Sequence, residues 1–274
     1  MDWGLVLASQ DIPATIQCFE GEAWGLAVDP QDRERAVKVL RLYQVENRRW
    51  NWRQPVPWSE ETMHWGALVW CLGLALIYRI TAWEFPALVR AADLDSAAVW
   101  RGEWWRIFTA TYLHGDPGHL LANLTTGFIL LGLAMSQYGA GPGMLAVYLA
   151  GASGNLLGLV LYQKPYHGLG ASGMVMGALG LLSVQAVANW RRHPPAFKQV
   201  ARAALAGFLL FVLLGLNPSA DVVAHLGGFA AGISCGLVLN AAPGPAAKKR
   251  FEHSSWLIFV VLNLLAWRMV WLRW

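Results

Sequence analysis

The stretch Gly168–Gly173, Gly-Leu-Gly-Ala-Ser-Gly, decides how this chain is interpreted, because a polar loop becomes an apolar helix there. The residues before it, 163–167, read Gln-Lys-Pro-Tyr-His and are too polar to lie in lipid. The residues after it, 174–189, are almost wholly apolar. About 20 apolar residues span the hydrocarbon core of a bilayer. Ser172 is therefore predicted to lie in the first turn of a membrane-crossing helix.

The composition of the 274-residue chain supports a membrane location. Hydrophobic residues make up 56% of the chain and charged residues 14%, against about 25% charged residues in a soluble domain. The apolar runs predict crossings at roughly 65–83, 119–138, 143–162, 171–190, 200–216, 222–239 and 256–271. The last run is short and contains Arg268, so it is either an interfacial helix or, the favoured interpretation, a seventh crossing whose arginine snorkels. The predicted fold class is an all-α polytopic membrane protein.

Residues 1–50 differ in pattern and predict a small cytoplasmic α/β accessory domain. Its predicted elements are a short helix over 3–10, strands over 14–19 and 23–28, and a helix that begins at Asp29-Pro30, where a capping side chain precedes proline. An apolar stripe on that helix is expected to pack on the hairpin: Ala36, Val37, Leu40 and Tyr43. Nothing in this domain carries chemistry, and it is available for an unknown cytoplasmic partner.

The rest of the chain divides at its changes in composition. Residues 51–63 are a Trp-, Pro- and Arg-rich linker, 64–240 contain the first six crossings, and 241–274 hold a basic loop and the seventh helix. Lys and Arg concentrate in alternate connections: Arg48, Arg49, Arg53, Arg191, Arg192, Lys198, Lys248, Lys249 and Arg250. The opposite short loops hold only Lys164. Because cytoplasmic loops carry the excess of Lys and Arg, the N-terminus is predicted to be cytoplasmic.

Several classes of partner are disfavoured by the charge and cysteine content. The net charge is only +4, and the basic residues lie between apolar runs, so they indicate topology rather than nucleic-acid binding. Cys18, Cys71 and Cys235 are scattered without metal-ligand spacing. No metal or cofactor is expected, and the lipid bilayer is the first predicted partner.

Four polar residues within the predicted crossings are functional candidates, because polar groups inside a bilayer are costly. His119 and Asn123 lie at i and i+4 on one face of the second crossing. Ser172 heads the fourth crossing, and His225 lies one turn into the sixth. The second, fourth and sixth crossings all run inward, so the four residues are predicted to lie at the same outer level of the bilayer.

These residue types fit nucleophilic catalysis. A serine hydroxyl becomes a strong nucleophile when a histidine takes its proton, which assigns Ser172 and His225. The oxyanion that develops needs donors, for which His119, Asn123 and the backbone N–H of Ser172 are available. Glycines near the site are expected to allow close helix packing: Gly170, Gly173, Gly177, Gly228 and Gly232.

A second copy of the tetrapeptide Gly-Ala-Ser-Gly occurs at 151–154, in the middle of the third crossing. Apolar residues flank it on both sides, so Ser153 is predicted to lie near mid-membrane, away from His225. We interpret 151–154 as a helix-packing surface and Asn155 as an interhelical hydrogen-bonding residue.

These motifs resemble those of the rhomboid intramembrane serine proteases. The matching residues are Gly170–Gly173, Ala224–Gly228 with Gly232, His114-x4-His119-x3-Asn123, and Trp105-Arg106. The resemblance covers about 62–240. It implies a six-helix core, a Ser172–His225 dyad without an aspartate, an oxyanion site near His119 and Asn123, and transmembrane protein substrates. It also implies that Trp105-Arg106 lies in a partly membrane-embedded outer loop. The first fifty residues resemble small α/β domains found ahead of some bacterial rhomboids, which implies a bacterial inner-membrane location.

Two other functions remain open from the sequence. A catalytically silent protein of the rhomboid type could bind or chaperone membrane proteins. A small-solute transporter is the second alternative, favoured by Asn155 and by glycine-broken helices, although the hydropathy shows no inverted repeat. Labelling of Ser172 by a fluorophosphonate would separate the enzyme from the silent binder.

Overall fold

The computed structural model describes residues 2–19, 23–47, 63–162, 165–192, 221–241 and 245–273, with single residues between 193 and 220. The chain forms two compact units, 1–55 and 56–274. The predicted fifth crossing, 200–216, apart from single residues, and nearly all of the predicted linker lie outside the described residues.

The N-terminal unit is a hairpin flanked by two helices. Its elements are α1 Asp2–Ala8, β1 Ala14–Phe19, β2 Ala23–Val28 and α2 Arg33–Glu46, with one 3₁₀ turn, Pro30–Asp32, before α2. The strands are antiparallel, with Ala14 opposite Val28. The Asp29 carboxylate accepts the backbone N–H of Gln31 at 2.9 Å, which caps the turn as its sequence predicts.

The core of this unit corrects one sequence prediction. Leu7, Ile12 and Ala36 form it, and Leu40 packs against it. Val37, predicted to share the buried stripe, is 43% exposed. Successive helical residues are rotated by about 100°, and Val37 falls outside the arc of α2 through which Ala36, Val39 and Leu40 face the core.

The second unit consists mainly of long apolar helices. The elements are α3 Gly66–Arg79 with a π turn Ile80–Glu84, α4 Ala87–Ala92, β3 Leu94–Asp95, α5 Ser96–Trp100, α6 Arg106–Thr109 with a 3₁₀ turn Ala110–Tyr112, α7 Pro117–Tyr138, α8 Ala140–Leu161, β4 His167–Gly168, α9 Ser172–Arg192, α10 Val222–Ala241 and α11 Pro245–Arg273. Six helices among the described residues are long and apolar enough to cross a membrane: Gly66–Glu84, Pro117–Tyr138, Ala140–Leu161, Ser172–Asn189, Val222–Ala241 and Phe251–Arg273. The fold class predicted from the sequence is confirmed.

Helix α10 lies against both α8 and α9, and α7 packs on α9 and α3. Glycines permit the closest of these contacts. A Cβ atom at Gly227 would lie 2.9 Å from the Cα of Gly154 on α8. A Cβ atom at Gly151 would lie 3.2 Å from the backbone nitrogen of Met174 on α9. Residues 151–154 therefore form a packing surface, and the Ser153 hydroxyl donates to the carbonyl of Leu149 at 2.8 Å within its own helix.

The last helix, α11, packs on α8 and on the short helices between α3 and α7. Its Glu252 carboxylate accepts the backbone N–H of Gly141 at 2.7 Å. The Tyr112 hydroxyl donates to the Asn263 side-chain oxygen at 2.6 Å. These polar contacts fix the position of α11 along its neighbours, where apolar surfaces alone could slide.

The segment 85–116, which connects α3 to α7, is held by one buried arginine. The guanidinium of Arg106 contacts the carboxylates of Asp93 at 2.8 Å and Glu103 at 2.7 Å. It also donates to the backbone carbonyls of Arg90 and Asp93. Asp93 uses its second oxygen to contact His167 Nδ1 at 2.8 Å. The connection is thereby joined to the loop that leads to Ser172.

Candidate active site

The turn before Ser172 is built on a glycine that no other residue could replace without strain. Gly170 has a φ of +129°, a conformation that residues with a Cβ atom rarely adopt. A Cβ atom there would also lie 2.8 Å from His119 Nε2. The backbone N–H of Gly170 donates to the carbonyl of Ala110 at 3.0 Å. The chain can therefore pass directly beneath the His119 ring before α9 begins.

Ser172 is the first residue of α9 and is half-buried, whereas Ala171 and Gly173 on either side are buried. The first backbone N–H groups of a helix have no intrahelical carbonyl partner, and the helix dipole adds partial positive charge there. The start of α9 at Ser172 therefore offers free backbone N–H donors together with partial positive charge, and both would stabilise an anion there.

His225 lies one turn into α10 and is 3% exposed. The carboxylate of Asp221 accepts the backbone N–H of Ala224 at 2.9 Å, and its carbonyl accepts that of His225 at 3.0 Å. Tyr162 donates its hydroxyl to the same carboxylate at 2.7 Å. The start of α10, and with it the backbone of His225, is fixed by a capping aspartate that the sequence analysis did not single out.

The starts of α9 and α10 meet through glycines. A Cβ atom at Gly228 would overlap the carbonyl oxygen of Gly173 and would lie 3.1 Å from the Cα of Gly173. One turn further along both helices, a Cβ atom at Gly232 would lie 2.8 Å from the Cα of Gly177. Because these contacts advance in the same direction on both helices, α9 and α10 run parallel. Ser172 therefore lies at the same end of the pair as His225.

A Cβ atom at Gly173 would lie 3.8 Å from the carbonyl oxygen of Ala224. The residue after Ser172 thus faces the residue before His225. His225 also lies within electrostatic range of His119 on α7. The structure brings Ser172, His225 and His119 to one end of three neighbouring helices.

Two buried polar side chains, those of Asn123 and His114, lie next to this cluster. Asn123 Nδ2 is 3.1 Å from His114 Nε2, and both residues are at most 5% exposed. The rings of His114 and His119 are 5.1 Å apart at their centroids. Burial, reinforced by His119, lowers the pKa of His114 to about 4. A neutral His114 ring can accept the Asn123 amide hydrogen and so orient that amide.

His114 is the residue whose part in the site the sequence analysis missed. It is the first residue of the motif His114-x4-His119-x3-Asn123, but the sequence alone assigns it no role. The signal is its spacing, since a residue three positions before the start of α7 at Pro117 can fold back on that helix. Asn123 Nδ2 lies 3.8 Å from the position of a Cβ atom at Gly170, so the oriented amide faces the turn that precedes Ser172.

The fold and this site define a helical multi-pass membrane protein with serine, histidine and amide side chains gathered at one end of its helices. Residues 101–242 match the Rhomboid domain. The chain is 30% identical over 199 residues to RHOMBOID-like protein 1 of Arabidopsis thaliana, which covers 64% of this chain and 49% of that protein. It is 31% identical over 165 residues to RHOMBOID-like protein 5 of the same plant, covering 58% and 52%.

A bacterial protein is also similar. Rhomboid protease GluP of Bacillus subtilis is 28% identical over 184 residues, covering 65% of this chain and 34% of that protein. This chain belongs to the rhomboid family. The matched region spans about half the length of the two plant relatives and about a third of the bacterial one.

Proposed function

We propose that this protein is an intramembrane serine endopeptidase that cleaves transmembrane segments of single-pass membrane proteins. The observation that carries the proposal is the glycine contact between the starts of α9 and α10. It supports a Ser172–His225 dyad, because Gly173 and Gly228 leave no side chain between the two helices at that level. The relatives support the activity at the level of the family, since one of them is named a protease.

In the proposed reaction, His225 takes the proton of the Ser172 hydroxyl as the oxygen attacks a peptide carbonyl. The tetrahedral oxyanion is stabilised by His119, Asn123 and the backbone N–H of Ser172. His225 then returns the proton to the leaving amine as the C–N bond breaks. A water molecule, activated by the same imidazole, hydrolyses the acyl-enzyme and regenerates the hydroxyl of Ser172.

The neighbouring residues support this assignment by fixing orientation. The Asp221 cap holds the start of α10, and the Gly170 turn brings the His119 ring over the loop before Ser172. Preorganised donors cost no rearrangement when charge develops, and removing one typically costs about 10²–10³ in rate. We assign no separate catalytic role to Asp221, whose contacts are with backbone N–H groups and with Tyr162.

The domain organisation and topology are part of the same proposal. Residues 64–240 form the proteolytic core, 241–274 add the basic loop and α11, and 1–50 are an accessory domain. The alternation of basic connections supports a cytoplasmic N-terminus. In that orientation Ser172 faces the outer side of a bacterial cell membrane, and substrates are cut near their outer ends.

Labelling with a fluorophosphonate probe tests the function without knowledge of the substrate. The detergent-solubilised protein should be labelled at Ser172, as mapped by mass spectrometry of the modified peptide. Ser172→Ala should abolish the label. Ser153→Ala, which removes the serine of the second Gly-Ala-Ser-Gly tetrapeptide, should leave the label intact. A folded wild-type protein that takes no label would favour the catalytically silent binder.

A further inference from the structure

The outward face of α2 carries an unusual combination of residues for the surface of a small soluble unit. Val37, Leu42 and Val45 are 43%, 57% and 69% exposed. Lys38 and Arg41 lie between them and are also exposed. The core of the unit does not use these aliphatic side chains, because Ala36 and Leu40 face it instead.

Helical geometry places these five side chains together. At about 100° per residue, residues 37, 38, 41, 42 and 45 fall within an arc of roughly 140° that points away from Ala36. Glu34, in the first turn of α2, is the acidic residue within this arc along the described helix. We call residues 37, 38, 41, 42 and 45 the basic-aliphatic face.

The chemistry of this face matches an anionic lipid surface. Aliphatic side chains flanked by Lys and Arg enter the boundary between headgroups and acyl chains, while the cations contact anionic headgroups. Among the described residues of unit 1, no element covers this face, since each of its three aliphatic side chains is at least 43% exposed.

The connection to the membrane makes even weak affinity sufficient. Helix α2 ends at Glu46 and the first membrane-length helix begins at Gly66. The 19 residues between them reach at most about 65 Å when fully extended. A tether of this length keeps the face at high effective concentration near the bilayer, so a single short helix can dock without binding tightly by itself.

We propose that the basic-aliphatic face of α2 docks reversibly on the anionic phospholipid surface of the membrane that holds the second unit. This interaction is separate from the proteolytic site, and it assigns the N-terminal unit a lipid surface as its partner. The attraction is electrostatic and hydrophobic together, so it requires both anionic lipid and the two cations.

The test uses the full chain in lipid nanodiscs. A fluorophore is attached at Gln44→Cys, on the edge of the face, after replacement of the native cysteines. A matched label at Gln17→Cys on β1 reports the rest of the unit. Quenching by lipids that carry a spin label near the headgroup measures proximity to the bilayer. The nanodiscs contain phosphatidylcholine alone or with about one-third phosphatidylglycerol.

We expect strong quenching at residue 44 only in the discs with phosphatidylglycerol, and release of that quenching by added salt. Each cation is worth about fivefold in affinity for an anionic surface, so Lys38→Gln with Arg41→Gln should lower the ratio of docked to free unit about 20- to 30-fold. Arg33→Gln, which removes a charge outside the face, should lower it far less.

Three results would overturn the proposal. One is an absence of quenching in both kinds of disc. Another is quenching that does not depend on phosphatidylglycerol, salt or the two cations, which would indicate a protein surface or a second copy as the occupant. The third is an equal effect of Arg33→Gln. The salt titration of the wild-type chain decides the question even if the double variant fails to fold.

Discussion

Gly228→Ala is the substitution that most sharply tests the packing of the proposed dyad. Its added methyl group would meet the backbone of Gly173, the residue after Ser172, and would lie 3.1 Å from the Gly173 Cα. Carbon atoms pack at about 3.5–4.0 Å, so this contact alone requires α9 and α10 to separate by roughly 0.4–0.9 Å, and the closer overlap with the Gly173 carbonyl oxygen requires at least as much. Backbone atoms cannot rotate away as a side chain would, so this displacement is transmitted to Ser172 and His225.

The expected cost follows from that displacement. A misplacement of about 1 Å in a catalytic constellation costs on the order of 10²-fold in rate, and overpacking costs typically 1–3 kcal/mol in stability. We therefore expect Gly228→Ala to lower kcat by about 10- to 100-fold with a smaller change in KM. The assay is initial cleavage of a fluorescent single-pass substrate in liposomes, with thermal unfolding measured in detergent.

Gly73→Ala is the matched control, because a Cβ atom there meets nothing within 4 Å. This variant should keep the wild-type rate and gain slightly in stability through helix propensity. If Gly228→Ala is as active and as stable as Gly73→Ala, the reasoning that α9 and α10 must touch at this level is refuted.

Three further predictions concern the groups that position the site. Arg106→Ala should lower the free energy of unfolding by about 3–5 kcal/mol, because the buried Asp93 carboxylate loses its guanidinium partner and keeps only His167. Arg106→Lys should recover only part of this loss, as denaturation in mixed micelles would show. Asp221→Ala should cost about 1 kcal/mol through loss of the cap and lower the cleavage rate severalfold, whereas Asp221→Asn should restore both; equal rates in the two variants would contradict the capping role. His114, whose pKa burial lowers to about 4, is neutral in the folded protein, while the unfolded chain binds a proton below about pH 6.5. Stability should therefore fall as the pH drops from about 6.5 to about 4, by up to about 3 kcal/mol. His114→Gln should flatten that dependence, and an unchanged slope would remove His114 as its source.

The long helices could be predicted from sequence because a run of apolar residues reports burial in lipid directly. Their ends could not be fixed in the same way. Helix α8 begins at Ala140, three residues before the predicted start, because Pro142 in the first turn needs no backbone N–H partner. Helix α11 begins at Pro245 rather than near 256. The basic residues that precede the apolar run interrupt its hydropathy, but Lys and Arg are good helix formers and continue the helix.

Contacts between distant segments lie beyond what spacing can predict. The sequence shows Trp105-Arg106 as a motif but not the partners of Arg106. Arg106 bonds to Asp93, and Asp93 bonds in turn to His167; only the fold brings these segments together. Val37 was misassigned for a related reason. A stripe with two adjacent apolar residues does not say which of them faces the core.

Asn155, by contrast, makes a long-range contact that the sequence does predict. A polar amide in the middle of an apolar helix needs a partner, so an interhelical hydrogen bond could be predicted without knowing the acceptor. The structure supplies it, since the Asn155 amide donates to the carbonyl of Ile107 on α6 at 2.7 Å.

The measurement that tests the central claim most directly is cleavage of a single-pass membrane substrate in proteoliposomes by three forms of the chain. These are the wild type, Ser172→Ala and Ser153→Ala. The account predicts product from the wild type and from Ser153→Ala, and none from Ser172→Ala, with all three proteins equally inserted and folded. Cleavage by Ser172→Ala at the wild-type rate would contradict it.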